Sequence, residues 1–381
     1  MRIAFVGDFM LSGDQDGKLI KVSNKEKRKL MTFDFRVATL ETAVGEYENI
    51  DDTKMKKSEV AVWSKQSDIH KLSDLNINVV SLANNHAGDC GLDALLRLKD
   101  NLVERGIMSI GAGRNIQEAM SPIVLEKNGE SLAIIGCCED NPSALGNLRF
   151  ATEKTGGIYK LDESIIIPQI IELKKQYTYV ALVVHWGVEH KWLPEIYDVK
   201  RGEKMIDAGA DFIIGGHPHH VQPIKKHKRH LIYYSLGNFY FPDFYLDKVS
   251  NVFYPTKQLC DKLPVFCWMD PLRRSFSMKY FWKYYGRLGM VADIEMRKGK
   301  IRGRTFFSIY KKGHLSGSSI QFIHRLVLNM FSPFVGSGFS IRLNKMLMGF
   351  NTVIETRVLA VFNKKYGFYK YLKRYNLDSK E

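Results

Sequence analysis

The amino-acid sequence predicts an α/β fold, and three observations predict it. Short apolar, β-rich runs alternate with helical patterns from residue 1 to about residue 240. Each run is followed at once by polar or small residues, and the intervening segments carry leucines at helical spacing.

The runs, in order, are Arg2 to Val6, Val37 to Leu40, Val79 to Leu82, Leu132 to Cys137, Tyr179 to His185, Phe212 to Ile214 and Leu231 to Tyr234. Between the third and fourth lies a helix from Gly91 to Arg105, with Leu92, Leu95, Leu96, Leu98 and Leu102 on one face and Gly106 as its stop. An irregular stretch rich in Tyr, Phe, Trp and Pro follows at 241–289. Met290 to Met296 and Lys300 to Ser308 then read as a strand pair around a Lys298-Gly299 turn, finishing the main sheet. Residues 316–377 read as helical and amphipathic, with Ile320, Ile323, Leu326, Val327 and Phe331 on one face.

Composition removes several alternatives. With 45% hydrophobic and 25% charged residues over 381 positions, the chain has the apolar content for one large core or two smaller ones, which sets disorder aside. Its five cysteines, at 90, 137, 138, 260 and 267, have neither zinc-ribbon nor disulfide-scaffold spacing and read as reduced thiols. No window is long and apolar enough for a membrane-spanning helix, and the strand pattern beginning at Arg2 leaves no secretion signal, so a cytoplasmic domain is expected. Charge is divided unevenly: residues 251–381 hold 24 Lys and Arg against 7 Asp and Glu, leaving 32 against 34 in the rest. The first part therefore reads as an ordinary domain and the second as a segment built to approach something anionic.

The chemistry concentrates at the strand ends. Asp8 follows the first run, Glu41 the second and Asn84-Asn85-His86 the third; His185 ends the fifth, and Gly215-Gly216-His217-Pro218-His219 follows the sixth. In open α/β sheets the carboxyl ends of strands form the ligand crevice, so these residues are expected to converge there. Each has a plainer reading on its own: His217 and His219 as turn residues, His185 as a polar cap, Asn85 or Asp89 as a helix N-cap. Taken together, carboxylate, amide and imidazole groups are the donor set for two divalent metals with an open position for water. Asp89, three residues beyond His86, is placed to orient that imidazole as a general acid. Gly237-Asn238 would offer backbone N–H groups and an amide to an oxyanion, or form a simple turn.

The blocks Gly7-Asp8-Phe9-Met10-Leu11, Leu40-Glu41, Leu82 to Asp89 with Gly91, His185-Trp186-Gly187-Val188-Glu189, Gly209 to Gln222 and Tyr234 to Phe239 resemble the signature blocks of the CapA family of capsule and poly-γ-glutamate biosynthesis proteins. The resemblance covers residues 1–310. It implies a calcineurin-like metallophosphoesterase fold, a four-layer α/β/β/α sandwich, carrying a basic, mostly helical extension at 311–381. It further implies that Asp8 and His219 hold one metal and Asn85, His185 and His217 the other, with Glu41 bridging, His86 beside the leaving group and Asp89 behind it. Met10 stands where the broader superfamily has a histidine, which leaves Glu189 or Gln222 as substitute ligands. Thr39 stands where relatives carry Asn.

The expected activity is hydrolysis of a phosphoester or a γ-glutamyl amide, with Mn, Fe or Zn favoured by the mixed imidazole and carboxylate donors. The rival is a non-catalytic accessory that holds an acidic polymer near a membrane synthase. Expected partners are an anionic substrate or polymer and, through the basic C-terminal region, an anionic membrane surface; nucleic acid is not expected, since no recognition motif is present.

Overall fold

In the computed structural model of the chain, the described residues are 1–12, 18–45, 61–140, 149–242, 285–311, 313–338 and 342–344, with the backbones of four short strands between 244 and 280. The elements that frame the site are β1 (Arg2–Phe9), β2 (Phe35–Leu40), β3 (Val79–Ser81), α1 (Leu92–Glu104), β4 (Met108–Ile110), β5 (Ile123–Lys127), β6 (Glu130–Cys138), α2 (Glu163–Gln176), β7 (Tyr179–His185), α3 (Ile196–Asp207), β8 (Phe212–Gly216), β9 (Ile224–His227), β10 (His230–Tyr233), β11 (Asn238–Tyr240), β12 (Leu288–Arg297), β13 (Lys300–Lys311) and α4 (Gln321–Phe331).

The fold is mixed α/β, with two principal sheets. In the larger one, β13, β12, β1, β2, β3 and β4 run side by side, and β11 pairs with β1. The other has the order β9, β10, β8, β7, β6, β5. Strands β1 to β4 are mutually parallel, as are β6, β7, β8 and β10, so their carboxyl ends lie together within each sheet.

Period-two alternation decides which face each side chain takes. Ile3 and Phe5 of β1 join Ile134 of β6, Ala181 of β7 and Phe212 of β8 in a core shared by both sheets, where Phe5 and Phe212 meet edge to face at 5.4 Å. The alternate residues Ala4 and Val6 face Leu95, Leu98 and Leu102 of α1. On the other sheet, Val180, Leu182 and Val184 face Ile166 and Ile170 of α2 and Met205 of α3. Strand β7 is therefore buried on both sides, which is why it reads as an unbroken apolar run.

Several expectations need correction. Strand β1 continues to Phe9, because Asp8 and Phe9 pair with Asn238 and Tyr240, so Asp8 lies within the strand rather than after it. On α1 the buried residues are Ala94, Leu95, Leu98 and Leu102, with Leu92 and Leu96 at the edge. The stretch 241–289 is not wholly irregular: Phe244–Leu246, Val252–Phe253, Cys267–Met269 and Met278–Tyr280 form a sheet with Ala61–Ser64 and Ala43–Val44. That pairing joins segments far apart in sequence and leaves no local periodicity to read. Of the helical pattern expected at 316–377, a helix is present at Gln321–Phe331, preceded by a strand at His314–Gly317; residues 345–381 lie outside the described residues. Among the described residues no helix is long and apolar enough to cross a membrane. Cys90, Cys137 and Cys138 are buried; the side chains of Cys260 and Cys267 are outside the described set.

The two sheets are stitched at one seam. Asp8 N donates to Gly237 O at 2.9 Å, and a β-carbon added to Gly7 would lie 1.8 Å from that same oxygen. Only glycine at position 7 permits the strands to approach so closely. Gly7→Ala should therefore cost about 3 kcal/mol or more, at or beyond the top of the range for overpacking. Gly106→Ala meets open space but has φ of +67° and should cost only about 1–2 kcal/mol. Urea unfolding of the two variants checks the order; equal costs would contradict a steric seam.

Candidate metal centre

Five strand ends bring the site together. Asp8 comes from β1, Glu41 follows β2, Asn85 and His86 follow β3, His185 ends β7, and His217 and His219 follow β8. All of them are nearly or wholly buried, with Asp8 and Glu41 at 0% exposure. Two sheets thus contribute to one cluster, which no single stretch of sequence contains.

The run 215–219 shows how local sequence builds the approach. A β-carbon on Gly215 would lie 2.0 Å from Tyr234 O, and one on Gly216 would lie 2.4 Å from Asp8 Oδ1. Glycine at 216 lets the Asp8 carboxylate lie against the backbone, where Asp8 Oδ2 accepts from His217 N at 3.1 Å. His217 and His219 then take φ of +94° and +51°, a region that side-chain-bearing residues seldom adopt. Such strain persists only where the surroundings hold it in place, and it gathers at functional sites.

The donor atoms fall into two overlapping groups, Glu41 with His185 and His217, and Asp8 with Glu41 and His219; within each group all lie within 4.8 Å of one another. Glu41 belongs to both. Its Oε1 is 3.4 Å from His185 Nε2 and 3.4 Å from His219 Nε2. Asp8 Oδ1 is 4.0 Å from His185 Nδ1, and Asp8 Oδ2 is 3.7 Å from His219 Nδ1. Asn85 Oδ1 accepts from His185 Nε2 at 2.7 Å. Ligands placed about 2.0–2.2 Å from an ion lie at mutual distances of this order.

Burial dominates the electrostatics. It raises the Asp8 carboxyl to about 7, opposed by the His217 backbone N–H. Glu41 is raised well above the carboxylate range by burial and then by the charges of Asp8 and Glu189. Burial lowers His217 to about 3 and His185 and His219 well below the ordinary range, with mutual repulsion among the imidazoles adding to it. The imidazoles are thus neutral, the form that binds a metal. Among the described residues, Asp8 Oδ1, both Glu41 oxygens, His185 Nδ1 and His217 Nδ1 have no hydrogen-bond partner, although all are buried.

The surrounding groups have other tasks. His86 Nδ1 donates to Asp89 Oδ2 at 2.8 Å, and Asp89 also accepts from Val62 N. Asn238 Oδ1 accepts from His219 Nδ1 at 2.9 Å while its Nδ2 donates to Gly286 O, so both ends of that amide are engaged within the chain. Gln222 Nε2 donates to Lys191 O at 3.0 Å, tying the loop after β8 to the loop after β7. Glu189, 24% exposed, lies in that second loop, where burial raises its carboxyl and the charge of His86 lowers it. Met10 is fully buried two residues beyond Asp8, with Thr39 buried beside the other strand end.

Sequence reading missed the support beneath the site. Lys71 and Asp68 are fully buried and paired at 3.0 Å; Lys71 Nζ donates to Leu11 O, and Ser12 Oγ donates to Asp68 at 2.8 Å. Ser12 N donates to Ser64 Oγ, which also bonds Thr42 Oγ1, next to Glu41. This chain of contacts locks the segments just beyond Asp8 and Glu41 together. An Asp and a Lys three residues apart look like a solvated helical pair in sequence, which hides their burial. Glu139 was likewise missed: it accepts from Gly187 N and pairs with Arg201, fixing the turn after His185.

The family described as bacterial capsule synthesis protein PGA_cap matches residues 2–243. A Bacillus subtilis protein named PGA biosynthesis protein CapA is 30% identical over 247 residues, 62% of each chain. The capsule biosynthesis protein CapA of Bacillus anthracis is 29% identical over 182 residues, 47% of this chain and 43% of its own. A Mycobacterium tuberculosis protein named as a probable polyglutamine synthesis accessory protein is 26% identical over 174 residues, 44% of this chain and 46% of its own. The chain thus spans less than two thirds of the length of each of these relatives.

Two outcomes follow from this geometry. Lys71→Met leaves the Asp68 carboxylate buried without its cation and should cost about 3–5 kcal/mol in denaturant unfolding; a loss under about 1 kcal/mol would mean the pair carries no structural role. The second concerns pH. Between the ordinary carboxylate range and about 7 the metal-free folded protein keeps a proton on Asp8 that the unfolded chain has lost, so this group destabilises the fold as pH rises. His217, lowered to about 3, acts oppositely and favours the fold as pH rises through the ordinary imidazole range. At pH 6 the ligand imidazoles are already neutral, so only the carboxylates hold protons against a metal. The rise in melting temperature on adding Mn²⁺ should therefore be larger at pH 8 than at pH 6, and a pH-independent rise would contradict the assignment.

Proposed function

The chain belongs to the bacterial capsule synthesis protein family PGA_cap, and on that footing we propose that it is a metal-dependent hydrolase acting in capsule or poly-γ-glutamate biosynthesis. The observation that carries this reading is the set of buried carboxylate and imidazole atoms without hydrogen-bond partners: Asp8 Oδ1, both oxygens of Glu41, His185 Nδ1 and His217 Nδ1. A buried carboxylate left unpaired is costly, and a divalent cation is the partner that this donor chemistry fits. Asp8 and His219 would hold one ion, Asn85, His185 and His217 a second, and Glu41 both. The stacking of the two sheets between helices is read as the four-layer sandwich that goes with such a centre.

Cations held there would supply the Lewis acidity that hydrolysis of a phosphoester or a γ-glutamyl amide requires. The chain's own residues supply the rest. With Nδ1–H fixed on Asp89, the His86 ring presents Nε2 for proton transfer to the leaving group. Asn238 fixes the tautomer of His219 by taking its Nδ1–H, leaving Nε2 toward Glu41. Burial of the cluster excludes bulk water and strengthens every charge interaction in it.

A second reading, a non-catalytic accessory that binds an acidic polymer, draws on Met10, a fully buried thioether where another hard donor would complete the first ion's ligands. Elemental analysis paired with phosphomonoester and phosphodiester turnover under added Mn²⁺ separates the two. On the enzyme reading, His217→Ala loses bound metal and turnover together. His86→Ala keeps its metal and loses about 10²–10⁴-fold in rate. Metal in the wild type with no turnover on phosphoesters or γ-glutamyl amides would support the accessory reading, and absence of metal would sink the centre itself.

A further inference from the structure

An apolar chamber of about 240 Å³ lies beneath α4. Its wall includes Trp192, His220, Val221, Phe307, Val327 and Phe331. His219 belongs to the donor cluster and its neighbour His220 lines the chamber, so the backbone joining them is a wall common to both. Trp192 reinforces the connection: its ring lies 4.2 Å from His220 and 6.2 Å from Phe331, and it follows Glu189 and His190 in the loop that borders the cluster.

We infer that this chamber takes the hydrocarbon chain of an amphiphilic, lipid-linked anion whose head group lies at the Asp8 and Glu41 cluster. The head-group half rests on the metal-centre reading; the chamber half does not. Among the described residues no Lys, Arg, Asp or Glu lines the space, and one nitrogen of each of its two imidazoles is engaged within the chain, His220 Nδ1 by Val221 O at 3.0 Å and His324 Nε2 by Ser318 Oγ at 2.9 Å. The other lining residues are predominantly aliphatic and aromatic, so a sugar or peptide ligand would bury most of its polar groups there without partners, which is costly. An apolar cavity of about 150 Å³ is already enough to stay dry and admit benzene, so this one accepts a segment of alkyl or isoprenoid chain.

The apolar character continues outward. Along α4, Phe322, Ile323, Leu326 and Met330 are 74%, 50%, 48% and 62% exposed, and Ile323 also lines the chamber. An exposed apolar stripe that leads into an apolar cavity gives a chain a route from a lipid surface. The composition of the sequence suits such a surface, since residues 251–381 hold 24 Lys and Arg against 7 Asp and Glu.

The test is calorimetric titration of the full chain, with metal content measured in parallel, using ethyl phosphate, octyl phosphate and uncharged octanol below their aggregation limits. Octyl phosphate should bind at least tenfold more tightly than ethyl phosphate, and octanol should bind detectably. Val327→Trp, which fills the chamber, should erase the octyl advantage while leaving ethyl phosphate affinity and bound metal unchanged. Ile323→Gln at the half-exposed mouth, which leaves the interior packing alone, should weaken octyl phosphate several-fold and serves should the tryptophan variant misfold. Equal affinity for ethyl and octyl phosphate, or an octyl advantage that survives both variants, would overturn the inference. So would octanol failing to bind, whether a second copy or another part of the chain covers the stripe. Octanol binding in a protein that holds no metal would keep the chamber and remove only the head-group half.

Discussion

Two carboxylates, Asp8 and Glu41, are buried to zero exposure with three of their four oxygens lacking a hydrogen-bond partner, and the fold is arranged around that burial. Removing an ion from water costs several kcal/mol even after the protein relaxes. Apart from the single contact between Asp8 Oδ2 and His217 N, neighbours provide neutral imidazoles rather than cations. Without a cation such carboxyls hold their protons, Asp8 up to about 7, and only positive charge brought to them would let both ionise in place. Around it the chain holds two histidines at positive φ, places glycine at 7, 215 and 216 where a β-carbon would collide, and commits a fully buried Lys71–Asp68 pair to the loops beneath.

Those features form one system because the donors come from different sheets. Strands β1 and β2 deliver the carboxylates, β7 and β8 the imidazoles, and β11 crosses from the end of the smaller sheet to pair with β1 at Asp8. Asn238, the first residue of β11, is both the register partner of Asp8 and the acceptor for His219. The seam that joins the sheets therefore also orients a ligand, so a shift of one residue there would misplace Asp8 and His219 together.

Much of this was legible in the sequence because burial on both faces writes an unbroken apolar run. Tyr179–His185 was read with both of its boundaries, and His185 at its end. The end of β1 was not, because Asp8 and Phe9 pair with β11 in a contact more than two hundred residues distant. Nor was Lys71, since charge normally means exposure and only tertiary structure shows its aliphatic stem and ammonium enclosed. The pattern on α4 was legible only in part. Ile320, Ile323, Val327 and Phe331 line one chamber and so share a face, but Ile320, Ile323 and Leu326 are exposed and the buried residue is His324, which apolar spacing does not announce.

The imidazoles of the site divide their labour through the nitrogen that each gives away. His219 spends Nδ1–H on a neutral amide, Asn238, and keeps Nε2 for the cluster. His86 spends Nδ1–H on a carboxylate, Asp89. Both rings therefore offer Nε2, which on the proposed reading serves as a lone-pair donor in one and as a source of protons in the other. Neither role is legible in the histidines themselves; what would separate a ligand from an acid, on that reading, is whether the residue behind the ring is Asn or Asp.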